Sequence, residues 1–321
     1  MIPLDDIERA RDRIASTIVE TPLVRLHLDD APAEIWLKLE SFQPIGSFKL
    51  RGAANAILSA PRAELQAGVV TTSTGNMAQG VAWMARALGV PATIVVPDNA
   101  SAAKLAAVER LGGRIVRVPW EKWWAAVEAD SERDLGDGVE GYFVHPVRDE
   151  PVMAGNGTIG LELVQQLDDI DAVLIPWGGG GLTSGVASAL KAVSPVTKIY
   201  VCEPDTGAPV TAAIANGGEA RPVEFTPSFV DGAGSGSLLP DMWERARPLI
   251  AGSFAISLED TTAAMRVLLQ RARIVAEGAA ALPVAAALSG AAGSGRVVCI
   301  VSGGNIDSAR LAQILAGNVP D

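Results

Sequence analysis

The chain has 321 residues, of which 49% are hydrophobic and 20% are charged. This length and composition are typical of a globular protein with one large or two ordinary domains. The formal net charge of −11 argues against a nucleic-acid partner and against binding to anionic membrane surfaces.

The positions of the cysteines and histidines limit the thiol and metal sites that the chain can form. Cys202 and Cys299 lie in apolar runs, and we interpret them as buried thiols of a protein from a reducing compartment. His27 and His145 are far apart in sequence, which argues against a histidine-based zinc site. The N-terminus is typical of a charged helix start and not of a signal peptide, and no apolar run predicts a membrane span. A cytoplasmic protein is therefore predicted.

The first forty residues predict one helix and a pair of strands. Apolar residues recur at helical spacing over residues 5–17. Strands are predicted over 23–26 and 35–40, forming a hairpin that precedes the segment Gly46–Gly52.

Strands and helices alternate from Val69 onward. Strands are predicted at 69–73, 92–97, 114–118 and from 142, with helices at 78–88, 101–111 and 121–129. The acidic, glycine-bearing stretch 130–141 is predicted to be a surface loop. This alternation predicts parallel βαβ units.

A second alternating block begins at Thr158. It predicts helices at 158–167, 182–193, 261–271, 279–288 and 308–315, strands at 172–176, 198–204 and 296–301, and an irregular region at 216–236. The predicted fold class is α/β, with two open, twisted, mostly parallel sheets flanked by helices.

Glycine-bearing loops follow three of the predicted strands. They are Ser73-Thr74-Gly75-Asn76, the loop containing Gly178, Gly179, Gly180 and Gly181, and Ser302-Gly303-Gly304-Asn305. Consecutive glycines allow backbone N–H groups to converge on an anion at a helix N-terminus. The alternative is a tight strand-to-helix connection. The second loop lacks the Lys-Ser/Thr ending of a P-loop and does not match a dinucleotide fingerprint.

Lys49 follows a turn and begins a predicted helix. Alone, such a lysine would be interpreted as a surface residue. Together with a phosphate-type loop and two small polar loops, it supplies the amine needed to hold pyridoxal phosphate as a Schiff base.

Six segments carry a resemblance to a known family: ESFQPIGSFKLRGA, STGNMAQG, AGNGTIGLEL, PWGGGGLTSG, AEGAAAL and VSGGN. Their order resembles that of fold-type II pyridoxal-phosphate enzymes, above all the serine/threonine dehydratase and serine racemase branch. The resemblance implies a tryptophan synthase β-like fold with a large domain of residues 1–59 and 146–321. It also implies a small inserted domain of residues 60–145, no C-terminal regulatory domain, and a homodimer.

The resemblance assigns cofactor-binding roles. Lys49 forms the imine and later removes the substrate's Cα proton, and Phe48 packs against the cofactor. Gly178–Gly181 and Leu182 bind the phosphate, while Ser302 hydrogen-bonds the pyridine nitrogen. A neutral hydroxyl there favours prompt expulsion of a β-leaving group. The alternative role for Ser302 is a helix N-cap.

The resemblance also assigns substrate-binding roles. The loop Ser73-Thr74-Gly75 binds the substrate carboxylate, and Asn76 hydrogen-bonds the cofactor's phenolic oxygen; a simple N-cap loop is the alternative. Met77 replaces a common family histidine and implies a more apolar pocket. Thr74 stands where racemases have a serine acting as a second acid/base, so Thr74 is a candidate catalytic residue.

Two acidic residues match further family positions. Glu203 begins the family's divalent-cation segment, but Pro209 replaces its second acidic ligand, so no metal is predicted. Glu277 matches an acid near the active site, with a helix N-terminal carboxylate as the alternative.

The predicted function is a pyridoxal-phosphate-dependent ammonia-lyase that converts a β-hydroxy-α-amino acid of the threonine or serine type to a 2-oxo acid and ammonia. The alternatives are a serine-type racemase that uses Thr74 with Lys49, and a catalytically silent ligand-binding protein on the same fold. Met77 and three tryptophans, Trp120, Trp123 and Trp124, are compatible with a bulkier substrate, although aromatics more often pack in cores or interfaces.

Overall fold

The computed structural model describes residues 1–100, 102–129 and 139–320. The strands in these ranges are β1 (Leu23–Arg25), β2 (Glu34–Leu39), β3 (Val69–Thr72), β4 (Ala92–Pro97), β5 (Arg114–Val118), β6 (Tyr142–Phe143), β7 (Ala172–Pro176), β8 (Lys198–Pro204), β9 (Gly252–Ile256) and β10 (Arg296–Val301).

These strands form two sheets. The larger has the order β1-β2-β10-β7-β8-β9, and the smaller has the order β5-β4-β3-β6. Only the β1–β2 pair is antiparallel, and the other pairs are parallel. The predicted α/β fold with two mostly parallel sheets is confirmed.

Helices cover both sheets. The α-helices are α1 (Leu4–Ile14), α2 (Lys49–Ser59), α3 (Asn76–Leu88), α4 (Ala102–Arg110), α5 (Trp120–Ala129), α6 (Glu150–Gln166), α7 (Gly181–Val193), α8 (Pro209–Ala215), α9 (Pro240–Ala246), α10 (Leu258–Val267), α11 (Gly278–Leu288) and α12 (Ser308–Leu315). None of these described helices is long and apolar enough to span a membrane.

The larger sheet is buried on both faces, which explains its continuous apolar strands. In β7, Val173 and Ile175 point into one core with Val186 of α7. Leu174 points into the other core, with Ala281 of α11. The period of two along a strand therefore supplies both layers from one apolar run.

The helix predicted from Thr158 begins eight residues earlier, at Glu150. Its glycines suggest a break but serve close packing. A Cβ atom on Gly155 would lie 2.4 Å from the backbone oxygen of Arg51, and one on Gly160 would lie 2.8 Å from the Cβ of Ala189. Glycine allows α6 to approach α2 and α7 closely, and this packing outweighs the poor helix propensity of glycine.

Other boundaries also differ from the prediction. Helix α1 ends at Ile14, and α10 ends at Val267 before a π-helical turn over Leu268–Ala272. Strand β9 and helices α8 and α9 were not predicted, because each is short and flanked by Gly- and Pro-rich sequence. The loop prediction for 130–141 lies mostly outside the described residues.

Helix α2 connects the two sheets. Leu50 and Ile57 pack in the same core as Val69 and Ile94 of the smaller sheet, while α2 also contacts α6 beside the larger one. The division into a large domain of residues 1–59 and 146–321 and an inserted domain of 60–145 stays a prediction.

Candidate active site

The segment Gly46–Gly52, which contains Lys49, and the loop after β10 are joined at one edge of the larger sheet. Because β2, β10 and β7 are parallel neighbours, the loops that follow them lie at the same edge. The backbone N–H of Phe48 donates to the Ser302 carbonyl at 2.9 Å. Ser47 pairs with Gly303 in an isolated antiparallel bridge. These contacts bring the lysine and Ser302 into one site.

Lys49 is the first residue of α2, and its side chain is half-buried. Its Nζ donates to the carbonyl oxygen of Pro146 at 2.8 Å and lies 5.3 Å from the ring centroid of Phe48. Burial lowers the pKa of Lys49 to about 8, while the nearby Glu277 carboxylate acts in the opposite direction. A lysine with this pKa can act as a base near neutral pH.

The four-glycine loop ends at a helix N-terminus whose N-cap residue, Gly180, has no side chain to cap it. Gly180 adopts a left-handed φ of +91°. A Cβ atom would lie 2.9 Å from the Gly232 carbonyl at Gly178, 2.6 Å from a Val147 methyl at Gly179, and 2.8 Å from the Val147 carbonyl at Gly181. Side chains are therefore excluded at each of these positions, because space or backbone conformation requires glycine.

The first turn of α7 fits a phosphate group. Gly181 and Leu182 begin this helix, so their N–H groups have no intrahelical acceptor. The hydroxyls of Thr183 and Ser184 are buried and have no hydrogen-bond partner among the described residues. Uncapped N–H groups together with unpaired hydroxyls are the donors that a dianion prefers at a helix N-terminus.

Two further predicted cofactor residues lie beside these elements. Phe48 and Leu182 pack against the same apolar cluster, formed around α7 and the larger sheet. Ser302 directly follows β10 and is 2% exposed. The site thus has a neutral hydroxyl at its buried end and an apolar wall beside Lys49.

The loop after β3 is tied to the loop after β10. Ser73 Oγ accepts the Gly75 N–H at 3.2 Å and closes a local turn. Asn76 Nδ2 donates to Glu277 Oε1 at 2.9 Å, and Asn76 Oδ1 accepts from Asn305 Nδ2 at 2.8 Å. The half-buried Ser73–Asn76 segment, which includes Thr74, therefore lies at the same site as Lys49.

Glu277 orients Asn76 by accepting from its amide at 2.9 and 3.2 Å. Burial raises the pKa of Glu277 to about 7, and the hydrogen bond from Asn76 opposes this rise. The sequence indicates an acid near the site, but it does not reveal this contact.

Met77 and the tryptophans lie elsewhere. Met77 is 1% exposed and packs in the core between α2, α3 and the smaller sheet. Trp120, which is 46% exposed, stacks on Trp124 at the start of α5, with ring centroids 6.1 Å apart. These positions give no support to a bulky substrate pocket formed by these residues.

Glu203 caps α8. Its Oε1 accepts the Val210 N–H at 3.0 Å, and its Oε2 accepts the Thr211 N–H and hydroxyl at 2.9 and 3.0 Å. Within the described ranges, no group of three or more His, Cys, Asp and Glu side chains is arranged to hold a metal ion. Both oxygens of the Glu203 carboxylate thus already accept hydrogen bonds from the first residues of α8.

Sequence reasoning missed Pro146 and Val147. They follow β6 and contact Lys49 and the glycine loop, respectively. The rule that sites form at the carboxyl ends of parallel strands could have found them, because they lie beyond such an end.

The comparisons with known proteins agree with this geometry. Residues 14–303 match the family described as "Pyridoxal-phosphate dependent enzyme". The chain belongs to this family. Pyridoxal 5′-phosphate is therefore its cofactor, and the resemblance to fold-type II enzymes is confirmed.

Several relatives of this pyridoxal-phosphate enzyme match it over nearly its full length. It is 36% identical to the L-threonine ammonia-lyase of Geobacter sulfurreducens, over 98% of this chain and 78% of the relative. It is 35% identical to the L-threonine dehydratase catabolic TdcB of Escherichia coli, over 98% of this chain and 96% of the relative. The structure of maize serine racemase matches with a TM-score of 0.87 and 33% identity, covering 98% and 96% of the two chains.

Proposed function

We propose that this protein is a pyridoxal-phosphate-dependent ammonia-lyase. It converts a β-hydroxy-α-amino acid of the threonine or serine type to a 2-oxo acid and ammonia. The observation that carries the proposal is the half-buried amine of Lys49, with its pKa lowered to about 8, at the junction of three polar loops. The names of relatives such as L-threonine ammonia-lyase support the same reaction class.

Different residues of the site would bind different parts of the cofactor. The N–H groups of Gly178–Gly181 and Leu182 would bind the phosphate, the Lys49 amine would bond to the aldehyde, and the Ser302 hydroxyl would hydrogen-bond to the ring nitrogen. Phe48 would pack beside the ring. When bound, pyridoxal phosphate supplies the conjugated system that makes the substrate's Cα proton acidic.

Lys49 moves the proton. A lysine whose pKa is lowered to about 8 is neutral in a far larger share of molecules near neutral pH than an unperturbed lysine. The neutral amine takes the Cα proton while the Ser73–Gly75 loop holds the substrate carboxylate and fixes which face is presented. Asn76, oriented by Glu277, would hydrogen-bond to the cofactor's phenolic oxygen.

The neutral hydroxyl of Ser302 favours elimination. A hydroxyl there would stabilise charge on the ring nitrogen less than a carboxylate would, and this would favour prompt expulsion of the β-hydroxyl after proton removal. One water is lost from the substrate and one is consumed when the product is hydrolysed. The net reaction therefore yields the 2-oxo acid and ammonia.

The test is the Lys49→Ala variant. It is expected to lose the visible absorbance of the imine and ammonia release from L-threonine and L-serine, because Lys49 is the residue proposed to supply the amine. Borohydride reduction of the wild type, followed by peptide mass mapping, is expected to place the cofactor on Lys49. Lys198→Ala, at an exposed position, serves as the control. A label on another residue would refute the proposal.

Serine racemisation is the second candidate. The similarity to maize serine racemase and the presence of a hydroxyl at Thr74 favour it. The γ-methyl of threonine restricts the rotamer of that hydroxyl, so we expect elimination to dominate. Chiral analysis of product from L-serine distinguishes the two, and a catalytically silent binding protein would release no ammonia at all. A panel of β-hydroxy amino acids, including phenylserine, identifies the substrate.

We also propose a cytoplasmic homodimer. The free, buried thiols of Cys202 and Cys299 support a reducing compartment. Light scattering of the purified protein tests the dimer, and a monomer mass would contradict it.

A further inference from the structure

His145 closes a turn of residues 145–149, which we call the His145 turn. The imidazole is fully buried, and its Nδ1 accepts the N–H groups of Val147 at 3.0 Å and Arg148 at 2.8 Å. Backbone N–H groups can only donate, so Nδ1 carries a lone pair and the ring hydrogen lies on Nε2. Nε2 is 2.9 Å from the Val127 carbonyl and donates to it. These contacts favour the tautomer with its hydrogen on Nε2.

The His145 turn contacts both halves of the candidate active site. The Pro146 carbonyl accepts a hydrogen bond from Lys49 Nζ at 2.8 Å. Val147 packs so closely on the glycine loop that a Cβ atom on Gly179 would lie 2.6 Å from its methyl group. Any shift of the turn therefore moves the acceptor of the lysine amine and the wall of the phosphate loop together.

The other side of the turn is anchored on two helices. The Arg148 guanidinium donates to the Val127 carbonyl at 3.1 Å and to the Glu128 carbonyl, both in α5. It also pairs with Asp241 of α9 at 3.0 Å. The Asp149 carboxylate also accepts the His145 N–H across the turn at 2.8 Å. The turn is thus held from both sides, and its closure through Nδ1 adds the two contacts that flank the Pro146 carbonyl.

We propose that His145 is a positioning residue for Lys49. Its unprotonated Nδ1 closes the turn that holds the Pro146 carbonyl, and this carbonyl determines where the lysine amine lies whenever the amine is not bonded to the cofactor. The proposal rests on the proposed role of Lys49. A free lysine side chain has many rotamers, and an acceptor fixed by the rigid proline ring selects among them before proton transfer.

His145 is not itself a proton-transfer residue. Both ring nitrogens are engaged with backbone groups, and the ring is fully buried. A proton delivered to Nδ1 would break two hydrogen bonds at once. The ring therefore acts through the turn and through Lys49.

Two substitutions separate the acceptor at Nδ1 from the donor at Nε2. In His145→Asn, the side-chain oxygen can lie near the Nδ1 position and accept the same N–H groups. In His145→Gln, the longer amide can reach the Val127 carbonyl but leaves no acceptor near Nδ1. His145→Gln is expected to lower kcat at least tenfold, with KM changed less than threefold, and His145→Asn is expected to restore kcat to within threefold of the wild type.

Two further measurements distinguish positioning from general damage. With Cα-deuterated substrate, the isotope effect on kcat should rise in His145→Gln, because a misplaced amine slows proton removal specifically. In the cofactor-free protein, Lys49 should react at least threefold faster with a small amine-modifying reagent in His145→Gln than in the wild type or His145→Asn. Equal isotope effects and equal labelling rates in all three proteins would overturn the proposal.

The Pro146→Ala variant tests the positioning of the carbonyl independently if the His145→Gln protein does not fold. It keeps the carbonyl but releases its φ angle, so the isotope effect is expected to rise in the same direction. An unchanged isotope effect in a folded Pro146→Ala protein would also overturn the proposal. Borohydride trapping of the wild-type protein separates the two proposals. A label on a residue other than Lys49 refutes the proposed function. A label on Lys49, with equal isotope effects and labelling rates in the variants, refutes only the role of His145.

Discussion

The amine of Lys49 lies between two opposing influences on its pKa. Burial lowers the pKa to about 8, and the negative charge of Glu277 raises it. Glu277 is itself near its ionisation midpoint at neutral pH, because burial raises its pKa to about 7. The proton affinity of the base thus depends on a second group that titrates in the same range.

Replacing Glu277 with glutamine is expected to lower the pKa of Lys49 below about 8, because the carboxylate that favours the ammonium form is removed. The pH dependence of Lys49 labelling in cofactor-free protein measures this pKa. Glu259→Gln removes the same charge from an exposed position and should leave the pKa unchanged. A Glu277→Gln midpoint equal to that of the wild type would contradict the electrostatic coupling.

Gly179→Ala is expected to weaken cofactor binding at least tenfold. The new Cβ atom would lie 2.6 Å from a Val147 methyl, so either the loop or Val147 must move. Cofactor titration of the apoprotein measures the loss. The double variant Gly179→Ala/Val147→Ala should recover part of the affinity, because the second change removes both Val147 methyl groups that would clash, at 2.6 and 2.8 Å. No recovery would show that the glycine is needed for another reason.

Sequence predicts the site residues that act through their own local conformation. Lys49 after a turn and the consecutive glycines after an apolar strand are local patterns, and both lie where the sequence indicates. The contacts of Asn76 with Glu277 and Asn305 are not local, since they join residues 201 and 229 positions apart. Such pairs depend on how the sheets assemble, which the sequence pattern does not specify.

At the scale of elements, glycine misleads the prediction of α6. Gly155 and Gly157 have low helix propensity and precede Thr158, where the sequence predicts that the helix begins. A Cβ atom on Gly155 would clash with the backbone oxygen of Arg51 at 2.4 Å, and one on Gly157 would make a tight contact of 3.0 Å with the backbone oxygen of Gly185. Packing against neighbouring helices therefore stabilises α6 despite its low helix propensity. The sequence pattern does not show which helices are its neighbours.

Helix α8 begins at Pro209 and has a buried carboxylate as its cap. Proline suits the first helical position because its missing N–H would have no intrahelical acceptor. Burial raises the pKa of Glu203 to about 7, while the bonds from Val210 and Thr211 act in the opposite direction. The cap is consequently protonated or ionised according to the pH.

The free energy of unfolding of the Glu203→Gln variant should increase relative to that of the wild type as the pH rises. Between pH 4.5 and about 7 the unfolded wild type releases the Glu203 proton while the folded protein retains it, so the wild type becomes less stable over this window. The expected change in the difference between the two unfolding free energies is about 3 kcal/mol from pH 4 to pH 8. Urea unfolding at both pH values measures it. A difference independent of pH would mean that Glu203 ionises normally.

At the scale of the whole molecule, strand order explains the site. The alternating pattern predicts the parallel strands, but it does not predict that β10, near the end of the sequence, lies between β2 and β7. This insertion brings Ser302 beside Phe48 and Lys49, because the loops after adjacent parallel strands meet. The active site therefore forms only when both ends of the sequence have joined one sheet.

A buried network of charges holds the start of α2 in place. Arg51 is fully buried and pairs with Glu40 at 2.8 Å and with Glu162 at 2.5 Å. Lys38 also pairs with Glu162, at 2.5 Å. Two positive and two negative groups thus balance within the core, joining β2, α2 and α6. Burial acts to raise the pKa of Glu40, but the charge and hydrogen bonds of Arg51, together with the Thr21 hydroxyl and the Lys38 charge, outweigh it and the pKa is lowered.

Arg51→Met is expected to reduce the free energy of unfolding by about 3–5 kcal/mol, because two buried carboxylates lose their shared partner. Arg245→Met breaks an ion pair of 3.0 Å whose acidic partner is exposed, and should cost less than about 1 kcal/mol. Since the lowered pKa of Glu40 stabilises the fold above pH 4.5 and this contribution is lost on acidification, the cost of Arg51→Met should shrink as the pH falls below 4.5. Urea unfolding across this range tests both statements. Equal costs for the two variants at neutral pH would show that the network does not stabilise the start of α2.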